Sequence, residues 1–276
     1  SAHGRACDPV AEVLAHPQVF FLTGGGDTPA TLCAKLTAAG LGAAHALVGE
    51  NLGTPAEAIR FGLARELAEQ SFAPLSVLLI EREALPSRRT PGLPDDAFIR
   101  GAVPMTKQEV RAAALAKLAV TPKDTLWDVG AGTGSVSVEL ALAAPAGQVY
   151  AVECDPEACA LIQQNREKFA AYNLTLIEGK APDALDALPA PDAVFIGGTK
   201  GNMDAVIDAV LHKNPVARLC ITAIALETLS AAVAALTAHG LSAEVTQIAV
   251  SRTKTAGSLH LLMANNPVFL ITGART

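Results

Sequence analysis

Three glycines fall within five positions of "LWDVGAGTGSVSVEL", residues 126–140, between an apolar run with strand character and a periodic apolar segment with helix character. Gly130, Gly132 and Gly134 let the chain turn sharply between two such elements and leave bare peptide groups for a ligand to approach. The turn heads a regular series. "TLWDVG", "QVYAVE", "LTLIEG", "DAVFIG" and "ARLCITAI" read as strands, and "SVSVELALAA", "PEACALIQQNREKFA", "DALDAL", "NMDAVIDAVLHK" and "LETLSAAVAALTAHG" read as the helices that follow them. Two closing strands, "AEVTQIAVSR" and "HLLMANNPVFLIT", complete a set of seven. Strands alternating with helices of this length predict an α/β fold whose mostly parallel sheet is covered on both faces, with the ligand beyond the carboxyl ends of the strands.

The 276 residues suffice for one large or two ordinary domains. "REALPSRRTPGLPDDAFIRGAVP", residues 82–104, is rich in proline and charge and poor in periodicity, which predicts a semi-extended linker with a break near residue 95. With 50% hydrophobic and 17% charged residues the chain has the makings of a packed core rather than of a disordered segment. A net charge of −6 argues against nucleic acid or an anionic membrane as partner. No apolar stretch runs the ~18 residues of a membrane span, and no leader of basic, apolar and small residues stands at the start, so a cytoplasmic protein is expected. Cys7, Cys33, Cys154, Cys159 and Cys220 form no CxxC pair and read as buried free thiols, with no metal site.

The glycine turn discriminates among ligands. A phosphate-cradling loop requires GxxxxGK and then Ser or Thr, and no lysine follows these glycines. The dinucleotide fingerprint GxGxxG, counted from Gly130, requires glycine at position 135, where Ser135 stands. GxGxG after an acid, here Asp128, is the pattern of Rossmann-like S-adenosylmethionine methyltransferases. Glu153 ends the second strand 19 residues after Gly134, where a carboxylate can accept the protons of both ribose hydroxyls.

"VPMTKQEVRAAALAKLAVTPKDTLWDVGAGTGSVSVELA", "VYAVECDPEACALIQQN", "PDAVFIGGTKGN" and "VSRTKTAGSLHLLMANNPVFLITG" together resemble the precorrin methyltransferases that methylate C15 of the corrin precursor ring. The resemblance covers residues 95–273. It implies a seven-stranded Rossmann-like class I fold, S-adenosylmethionine as methyl donor with no metal, loss of CO2 from the C12 acetate of a tetrapyrrole, and a homo-oligomer such as a tetramer. Carried over by motif, Thr106, Gly130, Ala131, Gly132, Thr133, Gly134, Glu153 and Ala181 would contact the cofactor. The family commonly reads "EGDAP" where this chain reads "EGKAP", so Lys180 stands in place of a carboxylate beside the adenine. "SAHGR", "VFFLTGGGDTPATL" and "VGENLGTPAEAIRFG" resemble the second half of a tetrapyrrole methylase. Such a domain precedes the C15 unit in the two-domain, decarboxylating precorrin-6Y C5,15-methyltransferases of cobalamin biosynthesis and methylates C5. The resemblance divides the chain into residues 1–90 and 91–276. Only half of a two-part cleft is then present in the first segment, which predicts no C5 activity and an apolar face left bare. Thr28 before Pro29 predicts a capped helix start there.

The implied chemistry asks little of side chains beyond alignment of donor methyl and acceptor carbon. A polycarboxylate substrate does require cationic partners, and Arg100, Lys107, Lys200, Arg252 and Lys254 flank the loops expected at the ligand face. "GGTKGN" would shape the acceptor pocket, and His260 reads as a core histidine with proton handling as the alternative. Two further readings stay open at this stage: a different small-molecule acceptor, and a non-catalytic module that only binds the cofactor.

Overall fold

The computed structural model describes residues 7–82 and 91–275, and the chain divides into two compact units, Ser1–Ser87 and Arg88–Thr276. The first contains α1 (Pro9–Ala15), β1 (Gln18–Leu22), α2 (Pro29–Ala38), β2 (His45–Glu50), β3 (Ala58–Leu63), α3 (Ala64–Leu67) and β4 (Ser76–Glu81). Its strands form an antiparallel sheet in the order β1-β4-β2-β3. Thr28 caps α2, accepting from the Thr31 amide at 3.2 Å, and Pro29 occupies a first-turn position whose amide would have no helical partner anyway. The strands alternate. Phe21, Ala46, Val48, Leu78 and Ile80 are buried with the helices, whereas Phe20, Leu47 and Phe61 align with Leu79 in one row across the opposite face. Leu22 and Ile59 extend that face, and Phe20, Leu22, Leu47, Ile59 and Phe61 are all exposed, Phe61 at 83%.

The second unit opens with residues 91–107 and a 3-10 turn at Asp95–Ala97, then α4 (Gln108–Leu118), β5 (Thr125–Val129), α5 (Ser135–Ala143), β6 (Gln148–Glu153), α6 (Pro156–Lys168) and β7 (Leu174–Glu178). A second 3-10 turn (Asp183–Leu185) precedes β8 (Ala193–Ile196), α7 (Met203–Lys213), β9 (Arg218–Ala223), α8 (Leu226–Ala238), β10 (Leu241–Ile248), β11 (Ser251–Ala256), β12 (Leu259–Ala264) and β13 (Val268–Arg275). Seven strands form one sheet in the order β10-β13-β9-β8-β5-β6-β7, parallel from β9 to β7 and antiparallel at β13 and β10. This is a Rossmann-like α/β sheet. Strand order reverses at β5, so the glycine turn after β5 lies at the switch point where such sheets open a crevice.

Burial on both faces explains the unbroken apolar runs of the central strands. Leu126 packs with Leu115, Val138 and Phe195 on one face, while the adjacent Trp127 packs with Ile196, Val206 and Leu219 on the other. Leu126 and Trp127 have no exposed surface. Helix α5 is buried from Ser135 through Leu142, and inside the core Ser137 donates to Asp128 while Glu139 pairs with Arg111.

Several expectations need correction. Residues 91–104 are not a linker but part of the second unit. The amides of Gly92 and Leu93 donate to Glu139 at 2.6 and 3.1 Å, Phe98 is buried, and the Ile99 amide donates to Asn165 Oδ1 at 2.8 Å. Asp95, at the expected break, is buried in an ion network. "DALDAL" makes a single 3-10 turn, because Pro189 and Pro191 follow too closely for helix to propagate. The two closing strands are four. Gly257, at φ +61°, reverses the chain into a separate β11–β12 hairpin, and Pro267, which has no amide to donate, sits between β12 and β13. Of the cysteines, Cys33, Cys159 and Cys220 are buried, Cys7 is half-buried, and Cys154 is exposed.

Candidate functional site

Beyond the carboxyl ends of β5, β6, β7, β8 and β9 the second unit holds a cavity of about 840 Å³. Its floor is the turn after β5. Gly130, Ala131 and Gly132 line it, and Gly130 and Gly132 hold φ of +72° and +56°, the left-handed region that glycine enters without strain. The two glycines serve different ends. A Cβ on Gly130 would lie 2.8 Å from the Gly198 amide nitrogen and closer still to its carbonyl oxygen, so this position sets the approach of the β5 and β8 loops. A Cβ on Gly132 would meet only the Pro104 carbonyl at 3.2 Å and the Val103 side chain at 3.8 Å, both in the cavity wall. Gly134 turns away from the cavity: it caps α5, and a Cβ there would strike Ile162 of α6 at 3.0 Å. Thr133 is buried outside the lining, its hydroxyl without a partner.

Glu153 closes β6 at the cavity edge, and backbone amides fix its carboxylate. Oε2 accepts from Gly132 at 2.9 Å, and Oε1 accepts from Cys154 and Asp155 at 2.7 and 3.0 Å. Oε2 keeps a lone pair toward the cavity edge. Asp155 caps α6 through the amides of Glu157 and Ala158, so the "ECDP" sequence builds strand end, cavity-lining acid and helix start in succession. Asp128 is wholly buried at the end of β5. Desolvation pushes its carboxyl up to about 7, against the hydrogen bond it accepts from Ser137 and with the charge of Glu153 adding to the rise.

Thr106 and Ala181 line the cavity, as do Lys107 and Lys200. Lys200 lies in the "GGTKGN" loop after β8 and donates to Cys154 Sγ at 3.1 Å, a contact that pushes its ammonium pKa upward together with the charges of Glu153 and Asp155. Lys180, which sequence reasoning did not place among the cationic contacts, lines the cavity too. Arg100, Lys254 and His260 are exposed and outside the lining, and His260 is not a core residue because β12 leaves the main sheet. Arg252 is committed elsewhere: it forms ion pairs with Asp95 at 2.8 Å and Glu109 at 2.6 Å. Asp95 also pairs with the fully buried Arg111 at 2.8 Å, and Arg111 with Glu139 at 2.7 Å. Burial alone would raise the Asp95 carboxyl; the hydrogen bonds and charges of Arg111 and Arg252 outweigh it and leave it lowered. Arg111 further donates to the carbonyls of Leu93 and Thr106, so the network holds the cavity wall at 103–107 in place.

A family model described as a precorrin methyltransferase domain matches residues 96–274. The cobalt-precorrin-6B C(15)-methyltransferase (decarboxylating) of Salmonella typhimurium is 44% identical over 180 residues, which are 64% of this chain and 93% of that protein. The precorrin-6Y C(5,15)-methyltransferase [decarboxylating] of Sinorhizobium sp. is 39% identical over 217 residues, and this chain spans 52% of its length. A crystal structure of precorrin-6y C5,15-methyltransferase from Geobacter metallireducens superposes with a TM-score of 0.65 at 40% identity, covering 68% of this chain and 97% of that one. On the family match, which takes in every cavity-lining residue named above, this chain belongs to the precorrin methyltransferase domain family.

Proposed function

We propose that this chain transfers a methyl group from S-adenosylmethionine to C15 of precorrin-6B or its cobalt-bearing counterpart and removes CO2 from the C12 acetate. The observation that carries the reading is the bare-peptide floor at Gly130–Gly132 beside Glu153 in a cavity at the switch point of a precorrin methyltransferase sheet. The cavity fits the cofactor: Gly132 presents backbone where a Cβ would intrude, and the amide-fixed Glu153 has a lone pair for a sugar hydroxyl. When bound, the cofactor supplies an electrophilic sulfonium methyl.

The protein's own task is alignment. Thr106 and Ala181 on the two sides of the glycine floor are placed to hold the donor, and Lys107 and Lys200 to hold acceptor carboxylates, so that donor and acceptor meet near 3–3.5 Å. Loss of CO2 leaves the electron pair of the broken bond delocalised in the conjugated ring until a proton from solvent completes the methyl group at C12, which needs no protein nucleophile. The described part of residues 1–90 carries a bare apolar face around Phe20, Leu47 and Phe61, which supports reading this segment as one half of a two-part C5 methylase cleft. The β11–β12 hairpin supports a homo-oligomer. Leu259, Leu261, Leu262 and Met263 are all exposed on it, and a lone two-stranded ribbon is marginal in water without a partner. Among the described residues no helix is long and apolar enough to cross a membrane.

Incubation with precorrin-6B and mass analysis of the product tests the reading. Gain of one methyl and loss of CO2 is expected; gain of two methyls would show an active C5 site, and an unchanged substrate would overturn the assignment.

A further inference from the structure

Three lysines reach the cavity from three different walls: Lys107 ahead of α4, Lys180 after β7 and Lys200 after β8. The lining carboxylates Glu153 and Asp155 offset two of these three charges, but both are held by backbone amides and neither pairs with Lys180. In a chain of net charge −6 this is a local cationic excess. Lys200 is held by Cys154 Sγ. Lys180 is different: its side chain is exposed and has no hydrogen bond or ion pair among the described residues, while its backbone carbonyl is fixed by the Ala184 amide at 3.0 Å. A rooted backbone thus presents an unspent ammonium to the cavity.

Resting on the reading above, we infer that Lys180 determines acceptor specificity by binding a carboxylate of the tetrapyrrole, and does not bind the nucleoside of the methyl donor. An ammonium offers three donors and no acceptor, so it cannot take a hydrogen bond from an exocyclic amine of a nucleobase. A neutral ring nitrogen could accept from it, but a carboxylate forms a charge-assisted bond about twice as strong. Lys107 and Lys200 line the same cavity, and their charges add to the attraction for a polyanion and contribute nothing to a neutral base.

The full-length Lys180→Met and Lys180→Arg variants test this with two readouts. Calorimetry measures the Kd for S-adenosylmethionine, and fluorescence quenching measures the Kd for uroporphyrin, an unreactive polycarboxylate macrocycle. Lys180→Met is expected to weaken uroporphyrin binding, and to raise the KM for precorrin-6B, by about fivefold. The loss should shrink at high salt, the arginine variant should recover most of it, and the cofactor Kd should stay at the wild-type value. Weakened cofactor binding in Lys180→Met, or unchanged affinity for uroporphyrin, would overturn the inference. A wild-type protein that binds uroporphyrin through Lys180 but leaves precorrin-6B unmethylated would overturn the proposed reaction and spare the carboxylate site.

Discussion

Replacing Gly130 and Gly132 separately by alanine should split what a glycine-rich turn does for the fold from what it does for a ligand. Both residues hold positive φ, so each alanine costs roughly 1–2 kcal/mol in left-handed strain. At Gly132 the new methyl finds the Pro104 carbonyl at 3.2 Å, a contact relieved by a few tenths of an ångström, so little is added. A domain of this size should then lose roughly 2–8 °C in Tm. At Gly130 the methyl runs into Gly198 backbone, which cannot swing aside, and overpacking of this kind brings the total to on the order of 3–5 kcal/mol. Binding should divide the other way. The Gly132 methyl protrudes from the cavity floor, and a cost of about 1–3 kcal/mol there means roughly 5- to 150-fold in Kd. Thermal unfolding and calorimetric titration with S-adenosylmethionine read the two effects side by side. A Gly132→Ala protein that binds with wild-type affinity would show that the cofactor does not rest on this turn.

Asp128 predicts a pH dependence. Its folded pKa of about 7 stands above the unfolded value of 3.8, so the folded state holds the proton more tightly. Stability from this group is full below about pH 4, falls as pH rises toward 7 and then levels. Asp128→Asn keeps an acceptor for Ser137 and should flatten Tm across that window; parallel Tm curves for wild type and variant would refute the assignment. Leu262, 74% exposed on β12, should be covered by a second copy if the hairpin mediates assembly. Leu262→Asp is expected to reduce the assembled mass in light scattering without lowering the far-ultraviolet helix signal, and a wild-type monomer at micromolar concentration would refute the hairpin interface.

Most of the second unit was legible because local signals and tertiary demands coincide there. The run from β5 to α8 has apolar strands, alternating helices of which α6 carries an Asp155 cap, and a glycine turn that each point to the same doubly covered sheet. Legibility failed where meaning depended on contacts remote in sequence. Proline-rich 91–104 carries no periodicity because its order comes from Glu139, Asn165 and Arg111, not from its own hydrogen bonds. Arg252 looked available to a substrate, since nothing local reveals that Asp95 and Glu109 lie against it. Lys180 was visible as a departure from "EGDAP", but that view described a lost carboxylate and overlooked the gained ammonium. His260 stands in an apolar run that looks alike in a covered sheet and in a free ribbon, and only the pairing of β11 with β12 alone tells them apart.

The position of Arg252 also bears on how the site is held. It lies on β11, at the root of the hairpin, and grips Asp95 and Glu109, while Asp95 in turn binds Arg111 and the Gln108 amide at 2.9 Å. Arg111 reaches the Thr106 carbonyl, so a continuous chain of charge-assisted bonds runs from the hairpin root to the cavity wall. Buried ion networks of this kind stabilise little in net terms against an apolar core, yet removing one member leaves its partners charged and unpaired. What the arrangement secures is geometry. Residues 103–107 have no strand or helix of their own, so the network, together with the buried Met105, fixes the distance of this wall from Gly132. The proline-rich stretch is therefore as much a part of the site as the turn after β5.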